Sequence, residues 1–333
     1  MSGRVATSIA WIAALAAVAA CTPSRSEEPA APTPAATPTT PAAQQEQPMK
    51  PQQQAALEAW RSKRIERLKA PDGWLTLVGL EWLDEGDNSL GSAADADVQF
   101  PAKAPANLGT INRHRDALML APAPLNPGES PLTIDGKPVT KATKLVSDAK
   151  GDPTVVAFGP IEFYVIQRGD RWAVRIKDSE SPIRTGFQGL EYYPTRGDWV
   201  VEATLDPAPK GTKIPVPNIL GTTEDADSPG DVVFSRDGHD VRLQAIDEGD
   251  GRLFLVFGDQ TNGKGTYGGG RFVYADPPKA GEHTVTVDFN QAYNPPCVFT
   301  QYATCPLPPK GNKMPFPIEA GEKLWAGYHH PAG

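Results

Sequence analysis

Apolar and polar residues alternate with a period of two along much of this chain. Trp172, Val174 and Ile176 interleave with Arg171, Ala173, Arg175 and Lys177, which is the pattern of a half-buried β-strand. Ile161–Gln167 lies before it across Arg168-Gly169-Asp170-Arg171. The pair predicts a hairpin with glycine where positive φ costs little. The alternation returns at Trp199, Val201, Ala203 and Leu205. It returns again in Val232–Phe234, Val241–Ile246, Leu253–Phe257, Phe272–Tyr274 and Val285–Phe289, punctuated by Asp237-Gly238 and Gly249-Asp250-Gly251.

Upstream, Trp74–Leu80 is apolar enough to predict a strand buried on both sides, and Asp84–Asn88 reads as a turn. Ala96–Phe100, Ala117–Leu120, Leu132–Ile134 and Thr154–Phe158 read as further strands, with Asp135-Gly136 returning the chain through Val139. One segment has helical spacing. In Gln52–Lys69 the residues Leu57, Trp60, Ile65 and Leu68 share a face, and Pro71-Asp72-Gly73 ends the helix. Its Arg61, Lys63 and Arg64 read as a solvated face, with contact to acidic lipid heads as the alternative. The fold class that follows is mostly β: an antiparallel sandwich or open barrel with one N-terminal amphipathic helix.

The N-terminus is organised differently. Ala6–Ala20 is an unbroken run of small and apolar residues preceded by Arg4. It is too short for a comfortable span and fits a signal-peptide core. Val18-Ala19-Ala20-Cys21 resembles the lipobox of bacterial lipoproteins, which implies cleavage before Cys21 and acylation of its thiol and amine. Thr22 after the cysteine implies, by resemblance to lipoprotein sorting rules, the outer membrane facing the periplasm. The alternative is an ordinary secretory peptide with Cys21 incidental. Residues 21–51 are rich in proline, alanine, threonine and glutamine. They read as a disordered tether, because they could not bury enough apolar surface to offset ordering. Residues 52–323 then read as a single β-rich domain and 324–333 as a tail. The formal net charge of −8 disfavours general nucleic-acid binding.

Cys297 and Cys305 are the only cysteines besides Cys21. In an exported chain they point to a disulfide, which would stabilise by roughly 2–3 kcal/mol through loop closure. Two free buried thiols or one nucleophilic thiol are the alternatives. Tyr267-Gly268-Gly269-Gly270-Arg271 lacks P-loop spacing and leads into strand-like Phe272-Val273-Tyr274, so it reads as a turn. Arg271 remains a candidate anion contact. Arg175 and Lys177 share a strand face; they either line a polar cavity or form the solvent side of an edge strand, and the pattern slightly favours the second. Asp288, Asn290, Tyr293 and Asn294 gather acid, amide and phenol groups in seven positions, where capping is the competing explanation. The five histidines show no ligand spacing, Asp259 to Gly263 matches a calcium loop only in part, and no Gly-x-Ser-x-Gly elbow occurs. No metal and no cofactor is expected.

Tyr267 to Arg271, Asp288 to Cys297 and Cys305-Pro306-Leu307-Pro308-Pro309 together resemble the signature of a bacterial family catalogued only as a domain of unknown function, number sixteen eighty-four. The resemblance extends through Asp72-Gly73-Trp74-Leu75, Trp172–Asp178 and Glu191-Tyr192-Tyr193-Pro194. It implies one continuous domain over about 52–323 and no settled activity, so no catalytic residue carries over.

The expectation is a lipid-anchored envelope domain that binds a small molecule, peptide or glycan. Its pocket would use Tyr267, Arg271, Asp288, Asn290, Tyr293 and Asn294, with the Cys297–Cys305 loop at the rim. A hydrolase using Asp288 or Glu319 with Arg175 or Arg271, and a structural envelope component, are the alternatives. The expected partners are the membrane, through the anchor, and the unknown ligand.

Overall fold

Trp172, Val174 and Ile176 do face a core, and what covers them is a second sheet. The computed structural model describes residues 47–125, 128 and 130–328. The predicted signal peptide, Cys21 and most of the tether lie outside the described residues. Arg171–Asp178 pairs with Leu77–Trp82 on one side and Ile161–Arg168 on the other, within a six-stranded sheet. A five-stranded sheet is built around Gly86–Gly91, Gly109–His114 and Ala117–Pro122. The two inner faces share one core, with Phe163, Val165, Val174 and Ile176 meeting Leu90, Ile111, Leu118 and Leu120. Phe100 and Phe163 meet edge to face at 5.1 Å. Two antiparallel layers sharing inward-facing residues make a sandwich. The pairing is antiparallel except between Gly86–Gly91 and Val98–Gln99.

The C-terminal half repeats the principle. A four-stranded sheet has the order His239–Ala245, Gly230–Arg236, Val200–Pro207, Thr284–Asp288. It packs with the hairpin Leu253–Phe257/Arg271–Ala275 around Val232, Leu243, Leu255, Phe257, Val273 and Val287. The chain after Asp288 crosses this core as a strap and closes it with Phe289, Met314, Phe316 and Ile318. Every residue of Leu253–Phe257 is buried, so both hairpin faces are covered. The outer face belongs to a cluster with Phe254, Val256, Phe272, Cys297 and Cys305. Gly270 enters this hairpin at φ +93°, and a Cβ there would stand 2.5 Å from the Phe257 carbonyl oxygen. The glycine cluster is thus a turn into a strand, as its sequence predicts.

The predicted turns at Gly169-Asp170, Asp135-Gly136 and Asp237-Gly238 join paired strands. Three boundaries differ. Trp74–Thr76 is a 3₁₀ turn before the strand Leu77–Trp82, because the Thr76 hydroxyl donates to the Gly73 carbonyl and winds that segment. Asp84–Asn88 is only partly a turn: the strand begins at Gly86, and the buried Asn88 amide donates to the carbonyls of Asp84, Gly86 and Ile111. The segment from Leu324 to Tyr328 is not a free tail. Trp325 packs on Phe187 and Phe299, at 6.0 and 5.4 Å.

The helix runs Pro51–Lys69 with Leu57 and Leu68 buried. Its basic residues do not form a simple solvated face. Arg64 is only 13% exposed and reaches Glu322, and Arg61 lies 4.1 Å over the Tyr192 ring. Among the described residues no helix is long and apolar enough to cross a membrane.

Candidate functional site

A cavity of about 530 Å³ opens where the helix, the outer face of Arg171–Asp178, the outer face of the Leu253–Phe257/Arg271–Ala275 hairpin and the disulfide loop approach one another. Strand periodicity decides which side chains reach it. Phe254 pairs with Tyr274 across the hairpin, and Phe272 lies two residues before Tyr274, so all three share one face. They form an aromatic wall with Tyr293, Trp60 and Trp74. Phe254 stacks on Tyr274 at 4.8 Å and Phe272 meets Tyr293 edge-on at 5.6 Å. Burial pushes the Tyr274 and Tyr293 phenols far above the usual tyrosine value, so both are neutral at ordinary pH. The Tyr274 hydroxyl donates to Glu248, the one carboxylate lining the cavity.

The charged part of the lining is otherwise cationic: Lys63, Arg64, Arg67, Arg168, Arg175 and Arg252. Four of these have carboxylate partners. Arg64 binds Glu322 (2.9 Å), Arg168 binds Asp148 (2.8 Å), Arg252 binds Asp250 (2.7 Å), and Arg67 lies 3.7 Å from Asp72. Arg175 differs. It is 4% exposed and has no carboxylate partner among the described residues. Its Nε makes no hydrogen bond, and one terminal nitrogen donates weakly to Thr304 Oγ1 (3.4 Å). Trp74 and Tyr164 lie 5.4 and 6.0 Å from its guanidinium carbon. The same Thr304 hydroxyl accepts from Arg168 Nε at 3.1 Å.

Thr304 is held in place by its neighbour. Cys305 is joined to Cys297 by a disulfide with Cα atoms 6.2 Å apart. Both cysteines are buried against Phe254 and Phe272, and Ala303 through Pro306 line the cavity. The loop thus forms one edge of this cavity, which is not the pocket expected from the sequence.

The structure does not gather the other expected site residues. Tyr293 alone of the six lines this cavity. Arg271 is fully buried on the opposite hairpin face. There it donates to Asp259 (2.9 Å) and to the carbonyls of Ile318, Ala320 and Glu322. Period two puts Phe272 and Tyr274 outward and Arg271 inward, so its guanidinium braces the strap instead of meeting a ligand. Asp259 is correspondingly not a calcium ligand; its carboxylate also accepts from the Thr261 and Ile318 amides. Asn290 is buried and bonds Arg196 and Asp288, and the Asp288 carboxylate caps the turn over Phe289–Gln291. Asn294 donates to the Lys323 carbonyl. Tyr267 lies in a separate cleft with Phe299, Trp325 and Tyr328. Glu319 is exposed. Among the described residues no three His, Cys, Asp or Glu side chains converge as a metal site.

The sequence missed Trp60, Trp74, Phe254 and Thr304 as a set because helix, turn, strand and loop meet only in space. It did single out Arg175, but as more consistent with an edge strand. Arg171–Asp178 has a neighbour on each side and its outer face is covered by the disulfide loop, so Arg175 is buried.

Comparison with known proteins adds context. No curated protein matches this chain. A solution NMR structure of an uncharacterised protein of Haloarcula marismortui is 31% identical, over 42% of this chain and 78% of that one, with a TM-score of 0.36. The family pattern described as "Protein of unknown function (DUF1684)" matches residues 185–323, a narrower span than the resemblance read from the sequence. That span contains the aromatic hairpin, Tyr293 and Thr304; Arg175 and the helix precede it. Over residues 185–323 the chain carries the pattern of the family of proteins of unknown function DUF1684.

Proposed function

We infer that this is a lipid-anchored envelope protein whose β domain binds a small molecule in the cavity beside the disulfide loop. One observation carries the binding reading: six aromatic side chains from five separated segments line a volume of about 530 Å³. That volume lies within the range of small-molecule pockets, which are concave and mostly apolar, and it favours a small molecule over a peptide or glycan. Phe254, Phe272 and Tyr274 stand on paired strands, so this part of the wall is held rigidly. The hydrolytic alternative has less support, since neither Asp288 nor Glu319 lines the cavity. The anchoring reading is supported by the sequence of Ala6–Ala20 and Cys21.

Both parts have direct tests. With the full chain, 2-naphthoate, 2-naphthyl phosphate and 2-naphthamide are titrated in thermal-shift and calorimetric assays. At least one is expected to raise the melting temperature, because a ligand binding only the native state stabilises it. Tyr274→Ala is expected to weaken that compound at least tenfold. If none of the three binds, or Tyr274→Ala binds equally well, the cavity is not the site. For the anchor, Cys21→Ser is expected to move the chain from the membrane fraction to the soluble fraction on cell fractionation. Retention of the variant in the membrane fraction would overturn anchoring.

A further inference from the structure

We propose that the molecule held in this cavity is an organic anion with an aromatic or otherwise flat apolar body, its carboxylate or phosphate seated on Arg175. This rests on the reading that the cavity holds a ligand, and it adds the ligand's chemical class.

The buried guanidinium is the starting point. Removing a cation from water is costly unless an opposite charge and hydrogen bonds replace the solvent. The other deeply buried arginine shows the usual solution: Arg271 is matched by Asp259 and three backbone carbonyls. The Nε of each is unbonded, so the difference lies in the counter-charge and the terminal nitrogens: Arg175 is 4% exposed, and among the described residues it has no carboxylate partner and one side-chain hydrogen bond, to Thr304 Oγ1 at 3.4 Å. The protein leaves that charge unmatched at the cavity lining, where a ligand oxygen would complete it. Guanidinium suits this role because its planar fork matches carboxylate and phosphate oxygens.

Thr304 adds a directional element. Its hydroxyl oxygen accepts from Arg168 Nε at 3.1 Å and from Arg175. With its lone pairs facing two guanidinium groups, its own proton is available to a further acceptor. Two arginines and a hydroxyl donor on one loop form a subsite for an oxyanion.

The charge balance of the lining agrees. It has six cationic side chains and one carboxylate; four of the cations have carboxylate partners outside the lining, which leaves Arg175 and Lys63 as the excess positive charge, in a chain of net charge −8. The chain as a whole is acidic, so this positive charge is a local exception, and a positively lined cleft focuses an anion. The aromatic wall supplies the rest: Phe254 and Tyr274 stack at 4.8 Å, and Tyr274 and Tyr293 lie within 12° of parallel. Such a wall suits a flat ligand body.

The test uses the full chain and the three naphthyl compounds in calorimetry. 2-Naphthoate or 2-naphthyl phosphate is expected to bind at least tenfold more tightly than uncharged 2-naphthamide, with affinity falling as salt is raised. The tighter of the two anions identifies carboxylate or phosphate as the preferred head. Arg175→Gln is expected to remove the preference while leaving 2-naphthamide binding unchanged. Its melting temperature should not fall, since no internal ion pair is broken. If that variant does not fold, Thr304→Val, which keeps the side-chain shape, carries the test through a several-fold loss for the anions alone. Equal affinity for the amide and both anions would overturn the anion assignment and leave the cavity reading standing. Loss of all three compounds equally in Thr304→Val would also overturn it. Binding of none of the three in the natural chain would overturn both.

Discussion

An Arg271→Met chain is expected to lose about 3–5 kcal/mol of stability, the cost of leaving one member of a buried ion pair alone. For a domain of this size that lowers the melting temperature by about 10 °C. Both side chains of the Arg271–Asp259 pair are fully buried. Arg271 also carries the carbonyls of Ile318, Ala320 and Glu322. One guanidinium therefore ties the hairpin to three residues of the strap, and Asp259 adds the Ile318 amide. Removing the cation strands the Asp259 carboxylate and three carbonyls together. The Arg271→Met/Asp259→Leu double variant should recover part of the loss, because two apolar groups can replace a buried pair more cheaply than one orphaned charge. Thermal unfolding followed by circular dichroism measures both. A melting temperature for Arg271→Met within two degrees of the natural chain, on the order of 1 kcal/mol or less, would show that the pair does not hold the strap.

Glu322→Gln is expected to cost about 2–3 kcal/mol, the range of charge-assisted hydrogen bonds. The Glu322 side chain is fully buried and accepts from Arg64 Nε (2.9 Å), from the other side of the same guanidinium (3.4 Å) and from the Asn294 amide (2.8 Å). Arg64 in turn donates to the Asn294 carbonyl and lies 4.7 Å over the Tyr293 ring. The helix is thereby fastened to the strap beside the cavity. Neutralising Glu322 leaves Arg64 without its counter-charge in a site that is 13% exposed. A double-mutant cycle with Arg64→Met separates this coupling from the packing of each side chain. Additive losses in that cycle would mean that helix and strap are held by apolar packing alone.

These two contacts show where sequence and structure diverge. Arg271, Asn290 and Asn294 lie in the segment with the most polar side chains, and that density suggested a ligand. Most of their polar atoms are instead engaged inside the protein, in bonds to the strap and to Arg196 and Asp259 that stand in for a regular ladder, although Arg271 Nε and Asn294 Oδ1 find no hydrogen-bond partner among the described residues. Arg175 is the converse. It sits in an ordinary alternating strand, and nothing local distinguishes it from Lys177. The strand pair Lys213–Pro217/Thr223–Asp227 was also illegible, because Pro215, Pro217 and the acidic run Glu224-Asp225 disguise a two-stranded ribbon that buries Ile214 and Val216 on one face.

The sequence by itself determined the fold class, the turns at Gly169-Asp170 and Asp135-Gly136, the helix, and the disulfide loop's two cysteines. Each of these is set by interactions within a few residues: side-chain alternation, positive-φ tolerance, helical spacing. Tertiary structure alone decided that Arg175 is buried and unmatched, that Arg271 faces inward, and that Trp60, Phe254 and Thr304 share one cavity. Charge matching and burial depend on which surfaces meet, and Trp60 and Thr304 are brought together by folding across most of the chain. Local periodicity gives a side chain its face but not what lies opposite it.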